Sequence, residues 1–496
     1  MKIQIKSRSV RVCACVLAAF LLLGAAFYFI AGDSLHFTSS STETVTKKAT
    51  LGEMTVGEVI EQSFLSKYDD ISSLTVIVST MARQNTDIIK AELLNENGEA
   101  LCEPIYLDTS DMKDDKPHKI PLNPPVQNVK GEKLTLRLTS ERGELKNAVS
   151  FYYGNTVDVD TGRITIPVDI EDTDAVYLNG ERMVDSDGNP CYLCLTVSGT
   201  NYHWFGEYYW YLYGSSAVLL CLLMAYLVYC HRMKKKNLLL SVVQSLCKYS
   251  FLIRQLVSRD FKTKYKRSVL GMLWSFLNPL LTMSIQYVVF STIFKSSIPN
   301  FVVYLLTGII CFNFFNEATN MCLMSIISNA SLINKVYVPK YIYPFSRTLS
   351  SGINLLLSLV PLLIMMLITR TPLTPAALLM PFGLLMLFLL SYGIGLILAT
   401  MMVFFRDTQF LWGIFSMLLM YLTPIFYPET IIPARFLSIY RLNPLNRIIT
   451  FIRTLLIDGI SPEPIAYLEC LLLCLIPLLI GILIFRKNQD KFVLNI

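Results

Sequence analysis

Charge is scarce in this 496-residue sequence. Asp, Glu, Lys and Arg together make 16% of it, where a soluble globular domain carries about 25%. With 53% hydrophobic residues and a mean hydropathy of +0.48, that deficit excludes an ordinary soluble protein of this length. Histidine is scarcer still, and His36, His118, His203 and His231 are too scattered to suggest a catalytic triad. There is no G-x-x-x-x-G-K-[ST] phosphate loop, no H-E-x-x-H and no G-x-S-x-G, so phosphate-loop, zincin and serine-hydrolase chemistry have no motif to rest on. The G-x-G of Gly393 and Gly395 lies inside an apolar run and lacks the third glycine of a dinucleotide site. If the chain moves something uphill, the energy comes from elsewhere.

What is present is a series of apolar runs, each near the 20 residues that a helix needs to cross a bilayer. Two lie in the first half, Val12 to Ile30 and Tyr208 to Tyr229, and six follow at about 270–294, 301–326, 348–369, 376–404, 408–427 and 465–485. The expected architecture is an α-helical polytopic membrane protein of about eight transmembrane helices. Its expected divisions are 1–32 with the first anchor, 33–206 as an inserted extracytoplasmic domain, 207–230 as the second span, 231–269 as a linker and interfacial helix, and 270–496 as a six-helix membrane domain. The exit FIAGDS lacks a small-x-small cleavage site and its apolar run exceeds a signal's usual length, so the first span is read as a retained anchor.

Charge orients the chain. Residues 33–206 hold 15 Lys and Arg against 28 Asp and Glu, a net of −13, which leaves 28 against 9 elsewhere. Lys2, Lys6, Arg8 and Arg11 precede the first span, and Arg232 with Lys234, Lys235 and Lys236 follows the second. By the positive-inside rule both ends of that pair are cytoplasmic and the acidic domain is outside. The same count puts 428–461 outside despite Arg435, Arg441, Arg447 and Arg453. Such a stretch is too costly to span, so it reads as short interfacial or re-entrant helices broken at Pro444.

The outer domain begins with TSSSTETVTKKAT at 38–50, which reads as a flexible tether. Then come seven short runs of period-two or β-branched character, SLTVIVST, IIKAELLN, KLTLRLTS, AVSFYY, RITIPVDI, AVYLNG and CYLCLTVSG, with turn signals at Asn97-Gly98 and Asp187-Gly188. This pattern predicts an antiparallel β-sandwich. Cys191 and Cys194 have no second cysteine pair, so zinc is not expected, and they read as small buried hydrophobes with one possible disulfide to Cys102. Tyr68, Tyr106, Tyr152, Tyr153 and Trp204 are the aromatics available for stacking on sugars, although most rings in such a domain are core.

In the membrane half, RDFKTKYKRSVLGMLWSFLNPLL at 259–281 joins five cations to an apolar run without a linker. Upstream, Tyr249, Ile253, Val257, Phe261, Tyr265 and Val269 recur every four residues, as in an amphipathic helix lying in the inner interface. Its cations suit anionic membrane lipid, and no nucleic-acid recognition fold accompanies them. Two spans carry polar stripes: Ser275, Asn278, Thr282 and Gln286 on the first, and Asn313, Asn316, Glu317 and Asn320 on the second. Polar groups in hydrocarbon face one another or a wet cavity. Glu317 is therefore a transport-path candidate, with helix-to-helix hydrogen bonding as the bland reading. Trp274, Phe312, Phe314, Phe315, Trp412 and Tyr421 crowd the same region, as lipid-facing rings or as a stacking surface for sugars.

Residues 245–496 resemble the membrane subunit of an ABC-2 type exporter of the branch that moves lipid-linked polysaccharides such as O-antigen and teichoic acid. The landmarks, in order, are RDFKTKYKRSVLGMLWSFLNPLL at 259, NASLINKVYVPKYIYPFSR at 329, FFRDTQF at 404, TPIFYPETIIP at 423, NPLNRII at 443 and FRKNQDKF at 485. The resemblance implies a homodimer working with a separate ATP-binding subunit, which would hold ATP and Mg while this chain binds no cofactor. It implies a cytoplasmic entrance at Arg259, Lys262, Lys264, Tyr265, Arg267, Leu270, Gly271 and Trp274, where the cations suit a lipid pyrophosphate head group. It further implies ATPase coupling through Asn334, Lys335, Tyr337 and Pro339, and an outer gate at Tyr427, Pro428, Asn443 and Pro444. Two spans and a β-domain precede the part that resembles the family. A rival reading is a membrane glycosyltransferase or polymerase, but Asp407, Glu429 and Asp458 are isolated acids, not a catalytic set.

Overall fold

The computed structural model describes residues 2–495 apart from 43–44, 46, 155–156, 159–162, 165–174, 186–187, 234–243, 266–269, 291–299, 336–337, 428–439 and 441. The chain divides into two compact units. One is Met1–Leu35 with Phe205–Ile496, and the other is His36–Trp204.

The second unit is built from two antiparallel sheets. Its strands of five residues or more are β1 (Phe37–Ser41), β2 (Val59–Leu65), β3 (Asp70–Ser79), β4 (Ile88–Leu94), β5 (Lys116–Val126), β6 (Lys133–Ser140), β7 (Ser150–Gly154) and β8 (Leu195–Tyr202). β2, β6 and β4 pair side by side in one sheet, and β1, β8, β3 and β7 in the other, with β5 also on β3. Strict alternation sends Ile60, Phe64, Leu134, Leu136, Leu138, Ile89 and Leu93 inward, where they share one core with Leu74, Val76, Ile120, Phe151 and Val197 of the opposite sheet. Gln62 occupies an inward position too, and its buried Oε1 accepts from Leu193 N at 2.9 Å, a hydrogen bond between the two sheets. The unit is the expected antiparallel sandwich.

Three features of this unit differ from the sequence reading. The supposed tether contains a strand: β1 pairs with β8 from Phe37↔Tyr202 to Ser41↔Ser198, and Ser41 Oγ lies 2.9 Å from Ser198 Oγ. Its Ser and Thr residues, which look like linker composition, form cross-strand hydroxyl pairs. β5 was invisible because KPHKIPLNPPV is rich in proline. It is an edge strand on β3, where a missing N–H is tolerated. Cys102, Cys191 and Cys194 are free thiols, so the possible disulfide is not formed. Burial raises the Cys102 and Cys191 thiols above their ordinary pKa, and Cys194 Sγ donates to Val45 O at 3.5 Å.

The other unit is helical. Its helices of ten residues or more are α1 (Lys2–Ala31), α2 (Trp204–Arg232), α3 (Ser250–Tyr265), α4 (Trp274–Val288), α5 (Phe301–Leu323), α6 (Ile342–Ile368), α7 (Met380–Phe404), α8 (Thr408–Leu422), α9 (Pro444–Arg453) and α10 (Pro464–Asn488). Among the described residues six segments are long and apolar enough to cross a membrane: Cys15–Leu35, Trp204–Cys230, Phe301–Leu323, Ile342–Ile368, Pro375–Phe404 and Pro464–Lys491. Among the described residues α4 and α8 span 15 residues each, about 22 Å of helix, and α4 leads into 291–299, outside the described residues. This is a multi-pass membrane protein.

α1 and α2 run antiparallel. Tyr209 Oη donates to Gly24 O and Tyr213 Oη to Leu21 O, both at 2.6 Å. A Cβ at Gly24 would overlap the Tyr213 ring, so only glycine fits this crossing. α7 and α10 also cross at glycines, for a Cβ on Gly393 would lie 2.6 Å from Leu478 Cα and one on Gly481 would meet the Gly393 carbonyl. The G-x-G without a third glycine is thus a helix-packing surface.

Candidate functional site

α3 sets one end of the site. Its stripe at Ile253, Leu256 and Val257 is buried against Val338, Ile342, Tyr343, Phe485 and Phe492. The apolar face expected in the membrane interface is therefore covered by protein. One turn further on the same face come Asp260 and Lys264, which carry the stripe into a cleft of about 640 Å³ between α3, α5 and α6.

Two ionic clusters line that cleft. In one, Asp260 Oδ1 accepts from Arg347 Nη1 of α6 at 2.9 Å and from Arg259 Nη2 at 3.2 Å. Arg259 Nη2 also donates to Asn329 Oδ1 at 3.2 Å, and Arg347 Nη2 to Ser328 Oγ at 3.1 Å. The other Asp260 oxygen, Oδ2, is buried without a hydrogen-bond partner among the described residues. In the second cluster, Glu317 Oε1 of α5 accepts from Lys264 Nζ at 2.8 Å and from Asn354 Nδ2 of α6 at 2.7 Å. Three helices are thus held together by charge where the cleft opens.

The polar stripes divide in their roles. On α5, Asn313 and Asn320 are exposed, while Asn316 Oδ1 accepts from Asn320 Nδ2 at 2.7 Å and from Ser416 Oγ of α8 at 2.8 Å. On α4, Asn278 is exposed, Thr282 and Gln286 are half-buried, and the buried Gln286 Oε1 has no partner among the described residues. No hydrogen bond joins the two stripes among the described residues. Phe312, Phe314, Phe315 and Trp412 are core, whereas Trp274 and Tyr421 are exposed.

Leu270 is exposed, and Gly271 begins a 3-10 turn into α4 at φ +51°, a left-handed conformation that suits glycine. Lys262, Asn334 and Lys335 are exposed and Pro339 half-buried. Beside them Lys340 Nζ donates to Gln489 O and sits 5.7 Å from the Phe492 ring centroid, and burial lowers its pKa below the ordinary lysine value. Arg267, Tyr337 and Pro428 lie outside the described residues, as do the side chains of Tyr265 and Ser275.

At the other end, Asn443 caps α9 by accepting from Leu445 N at 3.0 Å, and its Nδ2 donates to Thr423 Oγ1 at 3.1 Å. Pro444 takes the first helical position, where its missing N–H costs nothing. Tyr427 Oη donates to Tyr421 O at 2.7 Å. Where short interfacial or re-entrant helices broken at Pro444 are expected, α9 starts at Pro444 and is buried, with Leu445, Ile448, Ile449, Phe451 and Ile452 in the main core. Two of the arginines that argued against a membrane span are accounted for by partners. Arg447 Nη2 lies 3.1 Å from Glu469 Oε2. Arg453 is buried and donates to Pro424 O at 2.8 Å and to Tyr304 O and Ile425 O at 3.1 Å. Arg435 and Arg441 are outside the described residues.

Sequence reasoning missed Asp260, Arg347 and Asn354 as site residues. The available signal was a carboxylate at 260 on the buried face of an otherwise apolar stripe.

Residues 252–457 match the family model for ABC-2 type transporter. The chain is 32% identical over 240 residues to the O-antigen export system permease protein RfbA of Klebsiella pneumoniae, covering 48% of this chain and 92% of the relative. It is 27% identical over 257 residues to the protein of the same description from Myxococcus xanthus, covering 51% and 98%. It is also 26% identical over 247 residues to the polysialic acid transport protein KpsM of Escherichia coli, covering 48% and 93%.

Proposed function

The chain belongs to the ABC-2 type transporter family, and from that premise we propose that it is the permease subunit of an ATP-driven exporter of a lipid-linked cell-surface polysaccharide. The relatives named for O-antigen and polysialic acid transport support this reading over a glycosyltransferase. The observation that carries it is the charged cleft at the inner end of α5, where Arg259, Lys264 and Arg347 converge beside Glu317. Such a cluster suits the phosphates of a lipid carrier.

In this reading the phosphate head group enters past Arg259, Lys262 and Lys264 at the Leu270-Gly271 turn. The polymer then passes along the polar faces of α4 and α5, through residues Asn278 to Gln286 and Asn313 to Asn320. Tyr427, Asn443 and α9 stand at the outer gate. The exposed loop at Asn334, Lys335 and Pro339 meets an ABC ATP-binding subunit that holds ATP and Mg, and two copies of this chain enclose the path. The acidic β unit lies outside the cytoplasmic membrane, as its charge contrast with the flanking basic segments indicates. Of the rings named above for stacking on a glycan, Tyr106 and Trp204 are exposed, Tyr152 and Tyr153 half-buried and Tyr68 buried.

Purification of the full chain from its native membrane tests the reading. An ABC ATP-binding subunit is expected to accompany it in equal amount. Recovery of the intact chain in mild detergent without such a subunit would overturn it.

A further inference from the structure

α1 and α2 lie outside the residues that match the family, and α1 packs both on the 3-10 turn Pro375–Leu379 within them and on α10 just beyond them. Phe27 of α1 meets the Tyr467 ring of α10 edge to face, with centroids 5.2 Å apart. The Tyr209 ring of α2 also lies 6.0 Å from Phe27. Tyr467 in turn meets Phe451 of α9 edge to face at 4.8 Å and Phe382 of α7 at 5.2 Å. Its hydroxyl lies 2.9 Å from Ser461 Oγ, just beyond α9. An unbroken file of rings therefore runs from α2 through α1 and α10 to α9.

A second route ends on the same helix. α1 also packs on the 3-10 turn Pro375–Leu379. The residue before that turn, Thr374, donates from Oγ1 to Gly459 O at 2.7 Å, and Gly459 closes the segment that continues α9. A Cβ on Gly459 would come 2.8 Å from Thr374 Cγ2, so this approach is tight. α9 is thus touched by α10, and the segment that continues it by the chain leading into the 375–379 turn, and α1 packs on both α10 and that turn. Near its N-terminal end Asn443 holds Thr423, and at its last turn Arg453 holds the carbonyls that follow α8. A change in the placement of α9 would have to be accommodated at all these points.

We propose that Tyr467 is a positioning residue for α9, and that the N-terminal helix pair sets the position of α9 by docking Phe27 against it. The pair is then a brace on the outer end of the membrane path, and not only a tether for the β unit. The importance of α9 to transport rests on the exporter reading. The packing relationship does not, and the experiment is chosen accordingly.

Leu442, in the turn before α9, is exposed and provides a reporter. The full chain carrying Leu442→Cys is placed in lipid nanodiscs without ATP or substrate and labelled with a maleimide, with the parent chain as background for native thiols. Phe27→Ala is expected to change the labelling rate at this site about two- to tenfold, the shift produced by loss of one aromatic edge contact. Phe29→Ala, at a more exposed ring of the same helix, is expected to label as the parent does. A parental rate in Phe27→Ala, or an equal change in Phe29→Ala, would overturn the proposal. If Phe27→Ala does not accumulate, Phe27→Leu keeps the apolar volume without the ring and is judged by the same criterion. Failure here leaves the exporter reading standing, and absence of an ATPase partner would leave the labelling result standing.

Discussion

Lys264 Nζ on α3 lies 2.8 Å from Glu317 Oε1 on α5, and Asn354 Nδ2 on α6 reaches the same oxygen at 2.7 Å. One carboxylate oxygen thus ties three helices at the mouth of the cleft. In the proposed exporter it is also the anion that a substrate phosphate would have to replace beside Lys264.

Glu317→Ala is expected to lower surface polymer severalfold while leaving the folded chain intact. The Lys264 and Glu317 side chains are 45% and 28% exposed, and a pair so hydrated contributes only about 0.2–1 kcal/mol. Surface polymer and the amount of chain in the membrane are measured together. Normal export in the variant would remove Glu317 from the path.

The crossing of α7 and α10 leads to a different expectation. A side chain at Gly481 meets the Gly393 carbonyl, which is backbone and cannot rotate away. Gly481→Val should therefore destabilise the membrane unit by at least the about 1–3 kcal/mol typical of overpacking. Gly352→Ala is the control, because its nearest neighbour is a Phe388 ring atom at 3.9 Å. Thermal unfolding in detergent should separate the two, and an unchanged Gly481→Val midpoint would refute the close crossing.

Acid should weaken the β unit through two carboxylates. Glu53 accepts from Lys146 N at 2.8 Å and pairs with Arg83, and Asp114 accepts from Thr80 N at 2.7 Å. These backbone hydrogen bonds hold both folded-state pKa values below the ordinary carboxylate range. The stabilisation is therefore complete above about pH 5, and it is lost as pH falls through the lowered values. Proteolysis of the full chain across this range should show the β unit opening on acidification. In Asp114→Asn that dependence should be shallower; an identical profile would exclude Asp114 from it.

The sandwich and the long spans were legible because their signals are local. Alternation in IIKAELLN and KLTLRLTS, and uninterrupted apolar length in α6 or α10, state which faces are buried without knowledge of any partner. What could not be read depends on partners. β1 is a strand because β8 lies beside it, and β5 tolerates its prolines because it is an edge. In the site, Glu317 and Lys264 were identifiable one by one. Their pairing across 53 residues, and the burial of Asp260 against Arg347, required the packing of α3 on α6. The same holds for the arginines of α9, which argue for a surface only until their acceptors are known.

Arg453 is the sharpest of those cases. Its guanidinium donates to three backbone carbonyls, those of Pro424, Ile425 and Tyr304, and lies 3.4 Å from the centroid of the Tyr304 ring. A planar fork can serve several acceptors at once, whereas the lysine ammonium is a point charge on a longer stem. Arg453→Lys is therefore expected to be nearly as damaging as Arg453→Met. Hydrogen bonds from a charged donor are worth about 1.5–3 kcal/mol each, so either change should lower the unfolding midpoint clearly. Gly308→Ala provides an independent check, since its Cβ would come 2.8 Å from Arg453 Nη2 and displace the group without removing it. Destabilisation by Arg453→Met together with full tolerance of Gly308→Ala would mean that the guanidinium is needed but not in this position.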